Sequence, residues 1–324
     1  MKVFIRKTLH CAVFLAGLAI LLLIASKLCL PKGHKKEDGV QDASANAIMQ
    51  EPEQTIDVLI LGDSETYSSM IPLQMWREHG ITGYCCGTSA QNLGYSYQFL
   101  QKAFERQSPK VVLLETNAFY RDFSLGEAVK YKMDRKFSIF SYHNRWKSIR
   151  KGGKRYTQST IYSDNTKGYV FSDMIAAADA TDYMVPSDGQ EPLSAKSIAY
   201  LEEIVAFCKK KGTKLIFVST PSVKNWNYNR HNSVLKIAEK LSVEYIDMNV
   251  LTEEIPIDWD VDTRDHGDHL NYSGACKVSA YLGNLLCEME GVKDHRDEPE
   301  YEKWNKDLEE FLVLTGENKA TASK

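Results

Sequence analysis

Four short apolar runs constrain the fold of this chain more than any other feature: IDVLIL at 56–61, VVLLET at 111–116, KLIFVS at 214–219 and VEYIDM at 243–248. Each has strand length and little of the polar alternation of a half-exposed strand, so each predicts a strand buried on both faces. Between them, NLGYSYQFLQKAFERQ at 92–107 and SAKSIAYLEEIVAFCKKKG at 194–212 carry apolar residues at helical spacing. The second opens on a capping serine and closes on a glycine. Strands alternating with helices predict an α/β fold in which helices cover both faces of a parallel sheet. Ligands of such sheets collect beyond the carboxyl ends of the strands. Ser64, Asn117 and the stretch 219–222 all fall at that edge.

The 324 residues suffice for one large domain with insertions. A formal net charge of -3 argues against a dedicated nucleic-acid binder. The first thirty residues depart from the average. Lys2, Arg6 and Lys7 precede the apolar run CAVFLAGLAILLLIAS, and no small-x-small cleavage site follows it cleanly. Residues 1–30 are therefore read as an uncleaved membrane anchor, or else a signal segment, with the body outside the membrane. Basic residues flank the span on both sides, so charge does not decide its orientation. Residues 31–54 are polar and aperiodic and read as a flexible tether. Of seven cysteines, five lie beyond the anchor, none in a C-x-x-C pair. That pattern is neither a disulfide framework nor a zinc site.

The main domain is expected over 55–290, with an insertion at about 120–192 that is too long for a simple loop. From Arg121 to Arg155 there are eleven Lys or Arg against three Asp or Glu, interleaved with Phe123, Tyr131, Phe137, Phe140, Tyr142 and Trp146. Two readings stand: a solvated helical excursion with its own small core, or a basic aromatic cap for an anionic headgroup or polymer. Residues 291–324 read as a charged amphipathic surface helix and a frayed end, without chemistry.

Two stretches can carry chemistry. In DVLILGDSET, a buried strand ends at Gly62-Asp63 and delivers Ser64, which can serve as a nucleophile or as the N-cap of the next helix. Far downstream, DTRDHGDHLNYSGACKVSAYL places His269 just before a helix, with Asp262, Asp265 and Asp268 ahead of it. One of these acids can hold the imidazole Nδ1–H so that Nε2 faces a serine. A metal is the other use of such a cluster, but His266 and His269 are not a helical i, i+4 pair and nothing completes a ligand set.

Taken together, these residues resemble the SGNH/GDSL hydrolase superfamily. GDSE with Ser64 is similar to its first block, which carries the nucleophile. CCGTSAQ with Gly87 is similar to the second, ETNAF with Asn117 to the third, and DHGDHLN to the last, from about Asp57 to Leu286. The resemblance implies a three-layer, flavodoxin-like fold with about five parallel strands and a helical insertion. It implies catalytic Ser64 and His269, and an oxyanion hole of Ser64, Gly87 and Asn117. No metal or organic cofactor is implied. Two positions depart from the pattern: Glu115 stands where the third block has glycine, and His266 stands three residues before His269, where the family Asp commonly lies. Asp265 is the expected orienting acid, because the side chain adjacent to His269 has difficulty curling back to its ring; Asp268 is the alternative.

With its apolar N-terminus and basic insertion the chain resembles the membrane-tethered branch of the superfamily. That branch includes the D-alanyl transfer protein of teichoic acid modification and acetyl-transfer proteins of exopolysaccharide assembly. The implied function is a serine esterase or acyltransferase acting on ester-linked acyl groups of a surface glycopolymer. The rival reading is a non-catalytic polysaccharide-binding or assembly module with the same fold.

Overall fold

The computed structural model describes residues 2–29, 42–142 and 164–317. Five parallel strands form one sheet: β1 (Val58–Gly62), β2 (Gly83–Gly87), β3 (Val111–Glu115), β4 (Lys214–Ser219) and β5 (Glu244–Asp247), in the order β2-β1-β3-β4-β5. Register runs Ile60 to Cys85 on one side and Ile60 to Leu113 on the other, then Leu113 to Ile216 and Val218 to Ile246. The flavodoxin-like order places a topological switch between β1 and β3, the position beyond whose carboxyl ends sheets of this kind bind ligands.

Successive residues of a strand face opposite sides of the sheet, so each apolar run feeds two cores. Val58, Ile60, Val111, Leu113, Ile216 and Val218 pack with Met75, Val278, Leu282 and Leu286 of helices α2 (Pro72–His79) and α6 (Tyr272–Cys287). Helices α3 (Leu93–Ala103) and α4 (Ala195–Lys211) pack on each other and against the sheet, and α5 (Tyr228–Leu241) packs on β5. Full burial of each such aliphatic side chain contributes about 1.5–3 kcal/mol.

The chain divides into two compact units: 1–43 with 123–162, and 44–122 with 163–324. In the first, the N-terminal helix Lys2–Cys29 holds a stretch, Phe4–Cys29, of mean hydropathy 2.5 whose side chains are exposed or half-buried apart from Ser26 and Cys29. At about 1.5 Å per residue its 26 residues exceed the roughly 30 Å of a bilayer core. A membrane anchor and a signal sequence both have this character. Helix Leu125–Lys136 opens on a capping box made by Ser124 and Glu127, and the Ile139 N–H donates to Ser26 Oγ at 3.2 Å.

The second unit differs from the expected boundaries at three places. The tether was expected to reach 54, yet Ala45, Ala47, Ile48 and Glu51 are buried, because Tyr84 Oη and Cys86 Sγ donate to the Ser44 and Ala45 carbonyls. The late helix, α7 (Glu302–Thr315), is more than a surface helix: Trp304 and Phe311 are buried, and Trp304 packs on Trp76. The insertion is helical only in part. Residues 164–194 run as irregular chain pinned to the body, with Val170 N–H donating to the Tyr67 carbonyl and Ala176 and Ala178 N–H to those of Thr263 and Trp259. Residues 143–163, including Trp146 and much of the basic stretch, lie outside the described residues.

Candidate active site

The end of β1 is crowded. A Cβ on Gly62 would lie 2.3 Å from Thr66 Oγ1 and 2.6 Å from Glu115 Cβ, so glycine alone permits the approach. The chain then turns at Asp63, whose Oδ1 accepts the Glu65 N–H at 3.0 Å and caps the short helix α1 (Ser64–Ser69). Asp63, not Ser64, is therefore the N-cap, and the Ser64 hydroxyl is left for another partner. That partner is His269: Nε2 lies 2.8 Å from Ser64 Oγ. Ser64 is the first helical residue, so its N–H has no intrahelical acceptor.

The loop before α6 presents His269. Its foundation is Asp262, a buried carboxylate that accepts from the Asp258 N–H at 2.7 Å and from Lys277 Nζ at 2.6 Å. Asn271 caps α6 through the Gly274 N–H and ties the loop to the Met174 and Val261 carbonyls. Between these anchors, His266 and Gly267 adopt positive φ of 60° and 83°, which tightens the turn. Asp265 thereby folds back four residues: Oδ2 lies 2.6 Å from His269 Nδ1, and Oδ1 accepts the His269 N–H at 2.6 Å. Asp268 Oδ2 stays 3.9 Å from Nδ1. Its Oδ1 instead accepts from Asn225 Nδ2 at 2.5 Å, while its carbonyl accepts from Ser222 Oγ at 2.8 Å. His266 turns the other way, its Nδ1 2.9 Å from the Ala177 carbonyl.

Gly87 and Asn117 flank the serine turn. A Cβ on Gly87 would meet the Asp63 carbonyl at 2.9 Å and Thr66 Cβ at 3.1 Å, so β2 ends in close contact with that turn. Asn117 is buried; Nδ2 donates to Asp63 Oδ2 at 2.9 Å, and Oδ1 accepts from Arg230 Nη1 at 3.2 Å. The amide has a second hydrogen beyond the one given to Asp63. Asp63 Oδ2 also accepts from Arg121 Nε at 2.7 Å. Glu115 accepts the Asn117 N–H on both oxygens and so caps the turn that carries Asn117. Burial pushes its carboxyl well above the usual carboxylate range, with the Asp63 charge adding to the rise.

Several site residues had no signal in the sequence. Glu65, buried beside Ser64, accepts from Asn225 Nδ2 at 2.8 Å, and burial followed by the Asp63 charge lifts its pKa strongly. Asn225 and Arg230 come from NWNYNR at 225–230, which has no catalytic pattern. The Tyr67 hydroxyl interacts with Ser64; burial raises its pKa and the Arg264 guanidinium opposes the rise. Tyr67 sits three residues after Ser64 on one helix face, a spacing that does predict proximity.

Glu65, Asp268 and His269 offer polar atoms within 4.8 Å of one another, a spacing that a cation can bridge. With Asp265 on Nδ1 and Ser64 at Nε2, however, both imidazole nitrogens already have partners. The arrangement suits proton transfer between serine and histidine better than metal ligation.

No family model matches the chain, and no curated protein does. Among solved structures, it is similar to a lipase/acylhydrolase from Enterococcus faecalis, with a TM-score of 0.37, 11% identity, and 72% of this chain and 95% of that one covered. An acetyl-xylooligosaccharide esterase from Geobacillus Stearmophilus is similar at a TM-score of 0.37 and 13% identity, covering 75% and 99%. A GDSL-like lipase from Bacteroides thetaiotaomicron is similar at 0.36 and 10%, covering 75% and 97%.

Proposed function

We propose that the chain is a serine ester hydrolase or O-acyltransferase that works through an acyl-Ser64 intermediate. The observation that carries this reading is the unbroken line from Asp265 Oδ2 through His269 to Ser64 Oγ, with hydrogen-bond contacts of 2.6 and 2.8 Å. Serine is a weak nucleophile until a base takes its proton, and the base needs a fixed tautomer. Asp265 supplies the second requirement by accepting Nδ1–H, which leaves the Nε2 lone pair for the Ser64 hydroxyl.

In the first half-reaction, Ser64 Oγ attacks the ester carbonyl as His269 Nε2 takes its proton. The Ser64 and Gly87 N–H groups, with the second hydrogen of the Asn117 amide, hold the oxyanion. His269 returns the proton to the departing alcohol as the C–O bond breaks. Water or a glycan hydroxyl then attacks the acyl-serine, giving its proton to His269, which passes it to Ser64 as the acyl group leaves. The substrate we favour is an ester-linked acyl group on a cell-surface polysaccharide or glycopolymer, with the body outside the membrane and held there by the N-terminal helix. That helix supports the choice, since it is long and apolar enough to span.

The test is turnover of an activated acyl ester by the detergent-solubilised full chain, together with labelling by a serine-directed fluorophosphonate. Labelling at Ser64 and loss of turnover in Ser64→Ala are expected. Equal turnover by wild type and Ser64→Ala would remove the enzyme reading and leave the binding-module alternative.

A further inference from the structure

Beside the catalytic line lies a second group of polar side chains that the mechanism above does not use. Asn225 Nδ2 has two hydrogens and two strong acceptors, Glu65 Oε1 at 2.8 Å and Asp268 Oδ1 at 2.5 Å. Asn225 therefore bridges the helix that begins at Ser64 to the loop that ends at His269. Glu65 itself is almost wholly buried, and its second oxygen, Oε2, is buried with no hydrogen-bond partner. An ionised carboxylate with an unsolvated, donorless oxygen is costly. A carboxylic acid has the opposite need, since it must find an acceptor for its O–H. Asp268 is the nearest carboxyl across the site, an oxygen of each lying within 4.8 Å of the other, so a small side-chain rotation brings the Glu65 O–H to it.

The charges facing Glu65 point the same way. Burial comes first; Asp63 from its own turn and Glu115 from the end of β3 also oppose a negative charge there, and together they outweigh the Asn225 and Ser222 side-chain hydrogen bonds that favour it. Arg121 is the nearby cation, but its Nε is committed to Asp63. Tyr67 and Tyr183 add only neutral phenols, each raised by burial. His269, the remaining titratable neighbour, is turned to Asp265 and Ser64.

We propose that Glu65 is a positioning residue: as a neutral carboxylic acid it donates to Asp268 and accepts from Asn225, clamping the His269 loop onto the Ser64 turn. Loss of that proton sets two carboxylates against each other under the loop and lets His269 drift from Ser64. The role rests on the acyl-serine reading for its consequence, but Glu65 protonation is a property of the fold and is measurable without turnover.

The experiment compares full-length wild type, Glu65→Gln and Glu65→Ala in two readouts. Glutamine keeps the shape of the neutral acid, with a donor for Asp268 and an acceptor for Asn225. The first readout is the rate of fluorophosphonate labelling at Ser64 across pH. Glu65→Gln should react within about threefold of wild type at neutral pH and lack the alkaline decline of the wild type, while Glu65→Ala should be roughly tenfold slower or worse. The second readout is melting temperature against pH. A carboxyl raised in the fold stabilises fully below its unfolded pKa of about 4.3 and loses that contribution as pH rises. Wild type should therefore fall relative to Glu65→Gln above that pH.

Parallel melting curves would overturn the proposal whatever the activity. So would a Glu65→Gln variant that folds and labels as slowly as Glu65→Ala. If Glu65→Ala fails to fold, Glu65→Gln still decides through both readouts. Equal turnover by Ser64→Ala and wild type would instead remove the esterase reading, and the melting comparison would still judge Glu65.

Discussion

Two clusters of buried charge, one around Lys167 and one behind Ser64, are built on different rules. Around Lys167, two cations meet two anions: Nζ lies 3.0 Å from each Glu51 oxygen and 2.6 Å from Asp307, over the Trp304 ring at 4.3 Å, with Lys303 bonded to Asp307 as well. Behind Ser64, three buried acids, Asp63, Glu65 and Glu115, share the neighbourhood of Arg121, whose Nε serves Asp63 alone. The first cluster closes on itself and fastens 44–51, 164–169 and α7 together. The second has more acids than cations, and burial pushes the Glu65 and Glu115 carboxyls well above the usual carboxylate range. Charge matched by countercharge makes a joint. An excess of buried acids, two of them raised by burial, makes an environment in which protons matter.

That contrast can be broken by mutation, and the largest effect should fall at the reactive pair. Ser64→Ala and His269→Ala should each lower kcat on an activated ester by on the order of 10^6 if the two act as a unit. Their melting temperatures should stay near wild type, since neither side chain supports the sheet. Asp265→Asn should cost up to about 10^4 in kcat by offering the imidazole the wrong tautomer partner. Asp268→Asn should cost far less, and a pH-rate series on the two variants separates the roles.

The Lys167 cluster should respond in the reverse sense. Lys167→Met leaves Glu51 and Asp307 with less countercharge in the interior, so stability should drop by about 3–5 kcal/mol in a urea titration. Turnover per folded molecule should remain that of the wild type. The smallest effect concerns Glu115. Its raised pKa stabilises the fold fully below about pH 4.3, and that contribution is lost as pH rises. Glu115→Gln should therefore flatten part of the fall in melting temperature above that pH, by a few degrees.

The sheet was largely legible because strands buried on both faces must be apolar throughout. Three of the five, β1, β3 and β4, announce themselves that way. VEYIDM also forms a strand, but β5 is the sheet edge, with Glu244 exposed and Tyr245 and Ile246 only half-buried, so the expected burial on both faces does not hold there. β2 gives no such signal: GYCCG has glycine at both ends and two cysteines, and only burial in the sheet makes it a strand. Ser64 and His269 stood out because one closely follows a buried strand and the other closely precedes a helix. The orienting acid was harder. Which Asp reaches Nδ1 depends on the positive φ of His266 and Gly267, backbone states stabilised by contacts such as the His266 N–H bond to Ala176. Glu65, Asn225 and Arg230 were invisible for a related reason: their partners lie 113 or more residues away in two cases. Local pattern cannot encode such pairs. The buried segment 44–51 escaped because its composition is that of a linker, and the body recruits it through tertiary bonds to β2.

The division of labour at the first turn has a practical consequence. Because Asp63 caps the helix, the serine hydroxyl holds up nothing, and its removal should leave the site shaped as before. Ser64→Ala is then a bait: a receptacle that keeps its grip on an intact ester and never cleaves it. On the proposed acyl-serine function, the variant offered a mixture of surface polymers should retain an acylated one, and mass spectrometry of what it retains would identify that molecule directly.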